Sequence, residues 1–173
     1  IAPNPDVVLQ ARVADYTPAL LDELLYSERA LINGFDKVMS IYLSADWPYF
    51  ARRREAWRLN HWFSQAGPAQ IQPLLLDEIR ARGALSSLDL ETKEHINGFW
   101  GFPLRVERAA LENLLAMGSL GIHHRVGTRR YFDLIERLLP TELLAAGDPN
   151  LTEEDYQDWH VLRRIGGLGL AFA

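Results

Sequence analysis

With 173 residues, 48% of them hydrophobic and 24% charged, the chain is long enough to bury a core and too apolar for wholesale disorder. It has no cysteine, which excludes a disulfide framework and thiolate zinc sites and suits a reducing compartment. A net charge of -5 excludes indiscriminate coating of nucleic acid, because such binding draws on phosphate neutralisation; any phosphate-binding surface must be local. No apolar run approaches the roughly 20 residues of a membrane span, and no charged-then-apolar signal opens the chain. The expected setting is therefore cytoplasmic, without a membrane partner.

The chain opens Ile1, Ala2, Pro3 and closes on the apolar, glycine-spaced run Gly166, Gly167, Leu168, Gly169, Leu170, which reads as a piece of a longer protein. Asn4 to Arg12 reads as a loop. Thr17 followed by Pro18 is a helix start, and Leu20, Leu21, Leu24, Leu25, Leu31 and Ile32 continue at helical spacing to Gly34. Phe35 to Tyr42 fits either a strand or a buried helical turn. Ser44 or Asp46 is expected to cap the next helix, which carries Trp47, Tyr49, Phe50, Trp57, Trp62 and Phe63 to Gln65. Its Arg52, Arg53, Arg54 and Arg58 could line a phosphate backbone. The favoured reading is that the Trp face packs inward while arginine stems cover its rim. Gly67 and Pro68 read as a break and a domain boundary.

Ala69 to Arg82 is a further amphipathic helix ending at Gly83. The stretch from Ala84 to Pro140 then reads as two helices, a β-hairpin and a closing helix, the order of a winged helix. Ser86 with Asp89 is a capping pair for the first short helix, and Pro103 suits a first-turn position of the second. From Leu104, the residues Val106, Ala109, Ala110, Leu111, Leu114 and Leu115 make one apolar face opposite Arg105, Arg108 and Glu112; Gly118 ends the helix. Leu120, Ile122, His124 and Val126 then alternate with Gly121, His123 and Arg125 as in a half-buried strand. Gly127 and Thr128 form the turn, and Arg129 to Phe132 the returning strand.

The hairpin tip thus carries Arg125, Arg129 and Arg130 with two histidines beside them. Guanidinium groups match phosphate oxygens two bonds at a time, so the cluster points to nucleic acid; a charged hairpin edge that resists aggregation is the plainer alternative. His123 and His124, as strand neighbours, are expected on opposite faces, unable to share a metal. No metal site and no cofactor motif are expected: phosphate-binding glycine loops, HExxH and the nucleophile elbow are all absent from the sequence. His61, His95 and His160 read as isolated structural histidines, and Glu107 and Glu112, five apart, as carboxylates on different faces. After Pro140 come a short helical turn closed by Gly147, a connector, and a helix opened by Thr152 with Asp155.

The blocks PDVVLQARV (Pro5 to Val13), LDELLYSERALINGFDKVMSIY (Leu21 to Tyr42), DWPYF (Asp46 to Phe50), RVERAALENLLAMGSLGIHHRVGTRRYFDLIERLLP (Arg105 to Pro140) and EEDYQDWHVLRRIG (Glu153 to Gly166) resemble the AlkZ-like (YcaQ-like) winged-helix DNA glycosylases. LLYSER, IHHRVGTRRYFDLIER and WHVLRRIG, in family order, are the most specific parts. The resemblance implies a mainly α chain with small β-hairpins (α+β), tandem winged-helix modules (helix-turn-helix plus wing) on double-stranded DNA, and excision of alkylated or crosslinked bases. The family's catalytic motif is Gln, one apolar residue, then Gln or Asp. By the order of the blocks it would fall upstream of Ile1, so the resemblance assigns no catalytic residue here, and Gln70, Ile71, Gln72 reads as a coincidental look-alike.

The combined expectation is a DNA-holding portion, inactive alone, of a hydrolase that repairs DNA. Residues 1–66 would be the C-terminal part of a first winged-helix module, 67–140 a central winged helix, and 141–173 a linker and the first helix of a third. Arg105 and Arg108 from the helix, and His123, Arg125, Arg129 and Arg130 from the wing, would meet the duplex, with the protein a monomer. The rival classes are a dimeric winged-helix transcription regulator on a two-fold site, and a winged helix used for protein contacts alone.

Overall fold

The computed structural model describes residues 4–59, 66–90, 94–97 and 103–168. α-Helices of 5 to 17 residues and three two-stranded antiparallel sheets are interspersed along them, so the described chain is α+β. Among the described residues no helix is long and apolar enough to cross a membrane.

The first segment departs from the periodicity reading twice. Asn4–Gln10 is a helix (α1), where a loop is expected. The helix started by Thr17 and Pro18 forms as α2 (Pro18–Asp22) and widens into a π-turn over Glu23–Ser27, but stops there rather than at Gly34. Arg29 adopts a left-handed φ of 57°, and the chain reverses into β1 (Leu31–Phe35), which pairs with β2 (Met39–Leu43). Leu31 and Ile32 fit the helical spacing yet belong to this hairpin, because two adjacent apolar residues satisfy either period.

Neither Ser44 nor Asp46 acts as a helix cap. The Ser44 hydroxyl donates to the Arg29 carbonyl, Asp46 receives Arg163, and a 3₁₀ segment (Ser44–Phe50) leads into α3 (Ala51–Arg58). Trp62, Phe63, Gln65 and His61 lie outside the described residues. Trp47 and Phe50 do pack inward, beside Ile32 and Tyr42 of the hairpin and Ile135 and Leu139 from much later in the chain.

Gly67 and Pro68 sit in the first turn of α4 (Ala66–Arg82) rather than breaking it. Proline fits there because that N–H would have no helical acceptor. The Ser86–Asp89 pair makes its reciprocal bonds, with the Ser86 N–H donating to Asp89 Oδ2 at 2.7 Å, but it closes a turn, not the expected short helix. Leu85 instead bridges to Phe132, locking this turn onto the far hairpin. Next in the chain is a small sheet, β3 (His95–Asn97) against β4 (Pro103–Arg105). Pro103 is therefore a strand residue and not the opening of a helix, and Arg105 is the residue before the first turn of α5 (Val106–Ala116).

The apolar face of α5 is as its spacing requires: Val106, Ala109, Ala110, Leu111, Leu114 and Leu115 are all buried. Of these, Ala110, Leu111, Leu114 and Leu115 pack with Leu75 and Ile79 of α4 and with Leu120, Ile122, Phe132 and Leu134 of the hairpin into the larger of two core clusters. Truncating Leu111, at 0% exposure, to alanine removes contacts worth about 2–5 kcal/mol. Gly118, at φ 78°, ends the helix. The hairpin is β5 (Leu120–Val126) and β6 (Arg129–Leu134), joined by the two-residue turn Gly127–Thr128.

Alternation along β5 is interrupted. Ile122 pairs with Phe132 and His124 with Tyr131, so His123 is an extra, bulged residue, and Leu120, Gly121 and Ile122 are all buried. The bulge overturns the opposite-faces expectation for the histidines: His123 Nδ1 and His124 Nδ1 lie 2.8 Å apart. A single 3₁₀ turn (Ile135–Arg137) stands where a closing helix is expected. The short α6 (Thr141–Ala145) and α7 (Glu153–Leu168) complete the described chain. Thr152 and Asp155 do cap α7, with the Asp155 N–H donating to Thr152 Oγ1 at 3.1 Å and the Thr152 N–H to Asp155 Oδ2 at 2.9 Å.

Candidate nucleic-acid interface

Three elements converge on one concavity. α5 projects Arg108 and Glu112, one turn apart on its uncovered side; β6 supplies Arg129 and Arg130 just after the hairpin turn; and the Ser86–Asp89 turn brings up Ser87. These residues and Thr128 line a groove of about 450 Å³. Its charged lining is three guanidinium groups and one carboxylate, a local positive surface on a chain of net charge -5.

Glu112 organises two of the three cations. Its Oε1 accepts from Arg108 Nε at 3.3 Å and lies 3.7 Å from Arg130 Nη1. Burial lowers the Arg130 pKa, while Glu112 pushes it back up; a guanidinium stays protonated at neutral pH regardless. Arg129 is exposed, and its one side-chain hydrogen bond among the described residues is a long one, 3.5 Å to the Tyr131 hydroxyl. Arg129 also lies near enough to Asp89 to help lower that carboxyl, chiefly held down by its bonds from Ser86. An oxyanion entering the groove meets donors from a helix and a strand at once, and two of them are already oriented.

The other expected contact residues lie elsewhere. Arg105 Nη2 donates to the Leu90 carbonyl at 2.8 Å and to Glu107 Oε1 at 3.1 Å, and Glu107 is 1% exposed, so this arginine is tied to the protein interior. The cause is β4: a strand where a helix is expected turns Arg105 away from the uncovered side of α5. Arg125 crosses to the opposite side of the hairpin, with Nη2 donating to Asn33 Oδ1 at 3.2 Å. His123 faces His124 and the Arg29 guanidinium, and burial with those neighbours lowers its pKa. Arg108, Arg129 and Arg130 are thus brought together, and Arg105, His123 and Arg125 are not.

The arginines of α3 are occupied in packing. Arg52 pairs with Asp148 and Glu153, Arg53 donates to the Asp36 carbonyl, Arg54 lies 3.8 Å above the Trp47 ring, and Arg58 bonds Glu55 and the Met117 carbonyl. His160 is held by Asp36 at 3.0 Å. Among the described residues no group of three or more His, Asp or Glu is placed to hold a metal. Glu112 was legible as a neighbour of Arg108 four residues on, but not as the residue joining helix to wing. Ser87 gave no sequence signal.

A family model for DNA glycosylase AlkZ-like proteins matches residues 1–173. The chain belongs to the AlkZ-like DNA glycosylase family. Comparison with curated proteins and with solved structures gave no match. The family ties the chain to DNA repair and to a DNA substrate. In a chain of net charge -5, this groove gathers three arginines from a helix and an adjacent hairpin.

Proposed function

We propose that this chain is the part of an AlkZ-like DNA-repair glycosylase that holds duplex DNA, with the Arg108–Arg129–Arg130 groove seated on the sugar-phosphate backbone. The observation that carries this reading is the convergence of those three guanidinium groups on one concavity between α5 and the β5–β6 turn. Phosphate contacts of this kind fix register and orientation, which a base-excising enzyme needs before chemistry begins. No catalytic residue is assigned within the chain.

In this reading residues 67–140 are a central winged helix, with α4 and α5 as the helical pair and β5–β6 as the wing. Residues 1–66 close a first module, and 141–173 link to a third. Support comes from the packing of α4 on α5 in one core, and from the position of the hairpin a single turn after α5.

The test is duplex binding by the Arg129→Ala/Arg130→Ala double variant across a salt series. Loss of two phosphate contacts weakens binding and reduces the slope of log K against log salt by about 1.8, at about 0.9 per contact. Unchanged affinity and slope overturn the assignment. Protection of paired half-sites in footprinting would instead mark a dimeric regulator. No gel shift at low salt would leave only a protein-contact role.

A further inference from the structure

The bulge at His123 brings two titratable rings together in the half-buried middle of β5. His123 Nδ1 and His124 Nδ1 face each other at 2.8 Å. That contact is a hydrogen bond only while one of the two nitrogens carries a proton and the other presents its lone pair. The pair can therefore be neutral, with one ring in the Nδ1–H tautomer, or hold one extra proton on Nε2 of the donor ring. It cannot hold two. With both rings protonated, two N–H groups point at each other and two positive charges meet across the same gap.

The surroundings oppose the second proton as well. The Arg29 guanidinium reaches this part of β5 from the reversal before β1 and grips the Ile122 and His123 carbonyls. Burial, Arg29 and His124, in that order, hold the His123 imidazole below its ordinary 6.5, while Asp133 of β6 pulls the other way. Asp133, 6% exposed, is bound to Arg137 at 3.1 Å and to the Leu134 N–H, so its charge is already shared. β1, packed beside β5, brings Leu31, Ile32, Asn33, Gly34 and Phe35, none of them titratable. Arg125, next along β5, turns to Asn33. On α5, Arg108 and Glu112 pair at the groove, and Glu107 holds Arg105.

Two further contacts join the pair to the arginine groove. The His124 ring lies flat on Tyr131, its partner across the hairpin, with centroids 4.3 Å apart and planes at 10°. The Tyr131 hydroxyl accepts from Arg129 Nη1 at 3.5 Å. A change at His124 thus reaches a groove cation through a single ring.

We infer that His123 and His124 form a proton-operated switch in the hairpin, intact with at most one extra proton and opened by the second, which lifts His124 off Tyr131 and removes the support of Arg129. The inference rests on the groove reading, whose regulation it names. A histidine held below its unfolded value gives stability that is present above 6.5 and is lost as pH falls through that value towards the lower folded one. The consequence runs against simple electrostatics. Adding positive charge beside a phosphate site ordinarily strengthens binding. Here acid weakens it, because the hairpin loses its order.

The test measures duplex affinity of the whole chain by fluorescence anisotropy at about pH 7.5 and about pH 5.5, the range in which histidine titrates. The proteins are the parent, His123→Asn and His124→Phe. Asparagine sets an amide near the place of Nδ1, and phenylalanine keeps a ring on Tyr131; neither takes up a proton. The parent loses affinity by about fivefold or more on acidification, the size of an ordinary coupling between two sites. Both variants hold their affinity or gain. Imidazole ¹⁵N spectra of the parent without DNA show one Nδ1–H tautomer in the pair and two separated titration steps, the lower one under 6.5. Tighter parent binding in acid, or an equal acid loss in parent and variants, overturns the switch and leaves the groove standing. Two rings that titrate independently, each as the Nε2–H tautomer, overturn the pair even where neither variant folds. A parent that binds no duplex at either pH overturns the groove reading, and the spectra alone then decide the pair.

Discussion

The Arg29 guanidinium donates to the His123 carbonyl at 2.8 Å across 94 positions of sequence, and to the Ile122 carbonyl at 3.0 Å. A third bond, 3.0 Å to the Leu25 carbonyl, ties the same side chain to the preceding π-turn. The β-bulge leaves His123 outside the regular pairing, and Arg29 takes up its carbonyl together with that of Ile122; the left-handed backbone of Arg29 is the local strain this arrangement sustains. Arg29→Ala is expected to destabilise the fold by about 2–4 kcal/mol, leaving carbonyls unsatisfied around a half-buried site. Arg29→Lys recovers only part of this, because an ammonium cannot hold the same fork of acceptors. Urea denaturation of the three proteins checks the order.

Glu112 limits the groove it organises. An incoming phosphate competes with this carboxylate for Arg108 and Arg130, so Glu112→Gln is expected to tighten duplex binding by about fivefold at low salt, an exposed-pair effect. The gain shrinks as salt rises. Fluorescence anisotropy with a labelled duplex at two salt concentrations measures both. Weaker binding by the variant would mean that Glu112 matters more for positioning the arginines than for repelling phosphate.

Two glycines with left-handed backbones separate steric from conformational cost. Gly127, at φ 60° in the hairpin turn, has open space around a would-be Cβ; Gly118, at φ 78°, would set one against Arg54 Cδ and 3.1 Å from Trp47 Cη2. Alanine at Gly127 should cost about 1–2 kcal/mol from backbone strain alone. Alanine at Gly118 should cost about 1–3 kcal/mol more, because Arg54 is held over Trp47 and its Nη1 donates to the Trp47 carbonyl at 2.7 Å. Thermal melts of the two variants give the difference directly. Asparagine at Gly127 should be tolerated better than alanine.

A feature was legible in the sequence to the extent that several residues vote for it. The buried face of α5 rests on six apolar residues at one period, the hairpin turn on a glycine between two strand patterns, and the α7 cap on a reciprocal pair; all three form. Features that hinge on one residue were hidden. A single bulged residue, His123, turns two histidines from opposite faces into contact, and a three-residue strand, β4, turns Arg105 inward. Leu31 and Ile32 were ambiguous in principle, and only the Arg29 reversal decides between helix and hairpin. The inward-packing aromatics expected along the helix of Arg52, Arg53, Arg54 and Arg58 are Trp47 and Phe50 of the preceding 3₁₀ segment, while α3 itself buries no residue and its arginines are held by carboxylates, carbonyls and the Trp47 ring.

Asp36 makes the attachment of α7 sensitive to acid. This side chain, at the end of β1, is 8% exposed and receives His160 Nε2 at 3.0 Å, Arg164 Nη2 at 3.1 Å and Arg163 Nη1 at 3.6 Å. Burial alone would raise its pKa; the hydrogen bonds and charges of His160 and Arg164 outweigh it and hold the carboxyl below its ordinary 3.8. A carboxyl depressed on folding contributes stability that is fully present well above that unfolded value, and is lost as pH falls through 3.8 to the lower folded value. Asp36→Asn should therefore cost about 1–3 kcal/mol at pH near 6. The gap from the parent protein should close as pH falls below about 4. Asp77→Asn is the matched control: its Arg80 partner is 2.7 Å away, but the Asp77 side chain is 71% exposed, so its stability change stays within about 0.5 kcal/mol at either pH. Urea midpoints at pH 6 and pH 3.5 supply the comparison. A gap for Asp36→Asn that persists unchanged at pH 3.5 would locate its effect in packing, not in the carboxylate charge that joins α7 to the first hairpin.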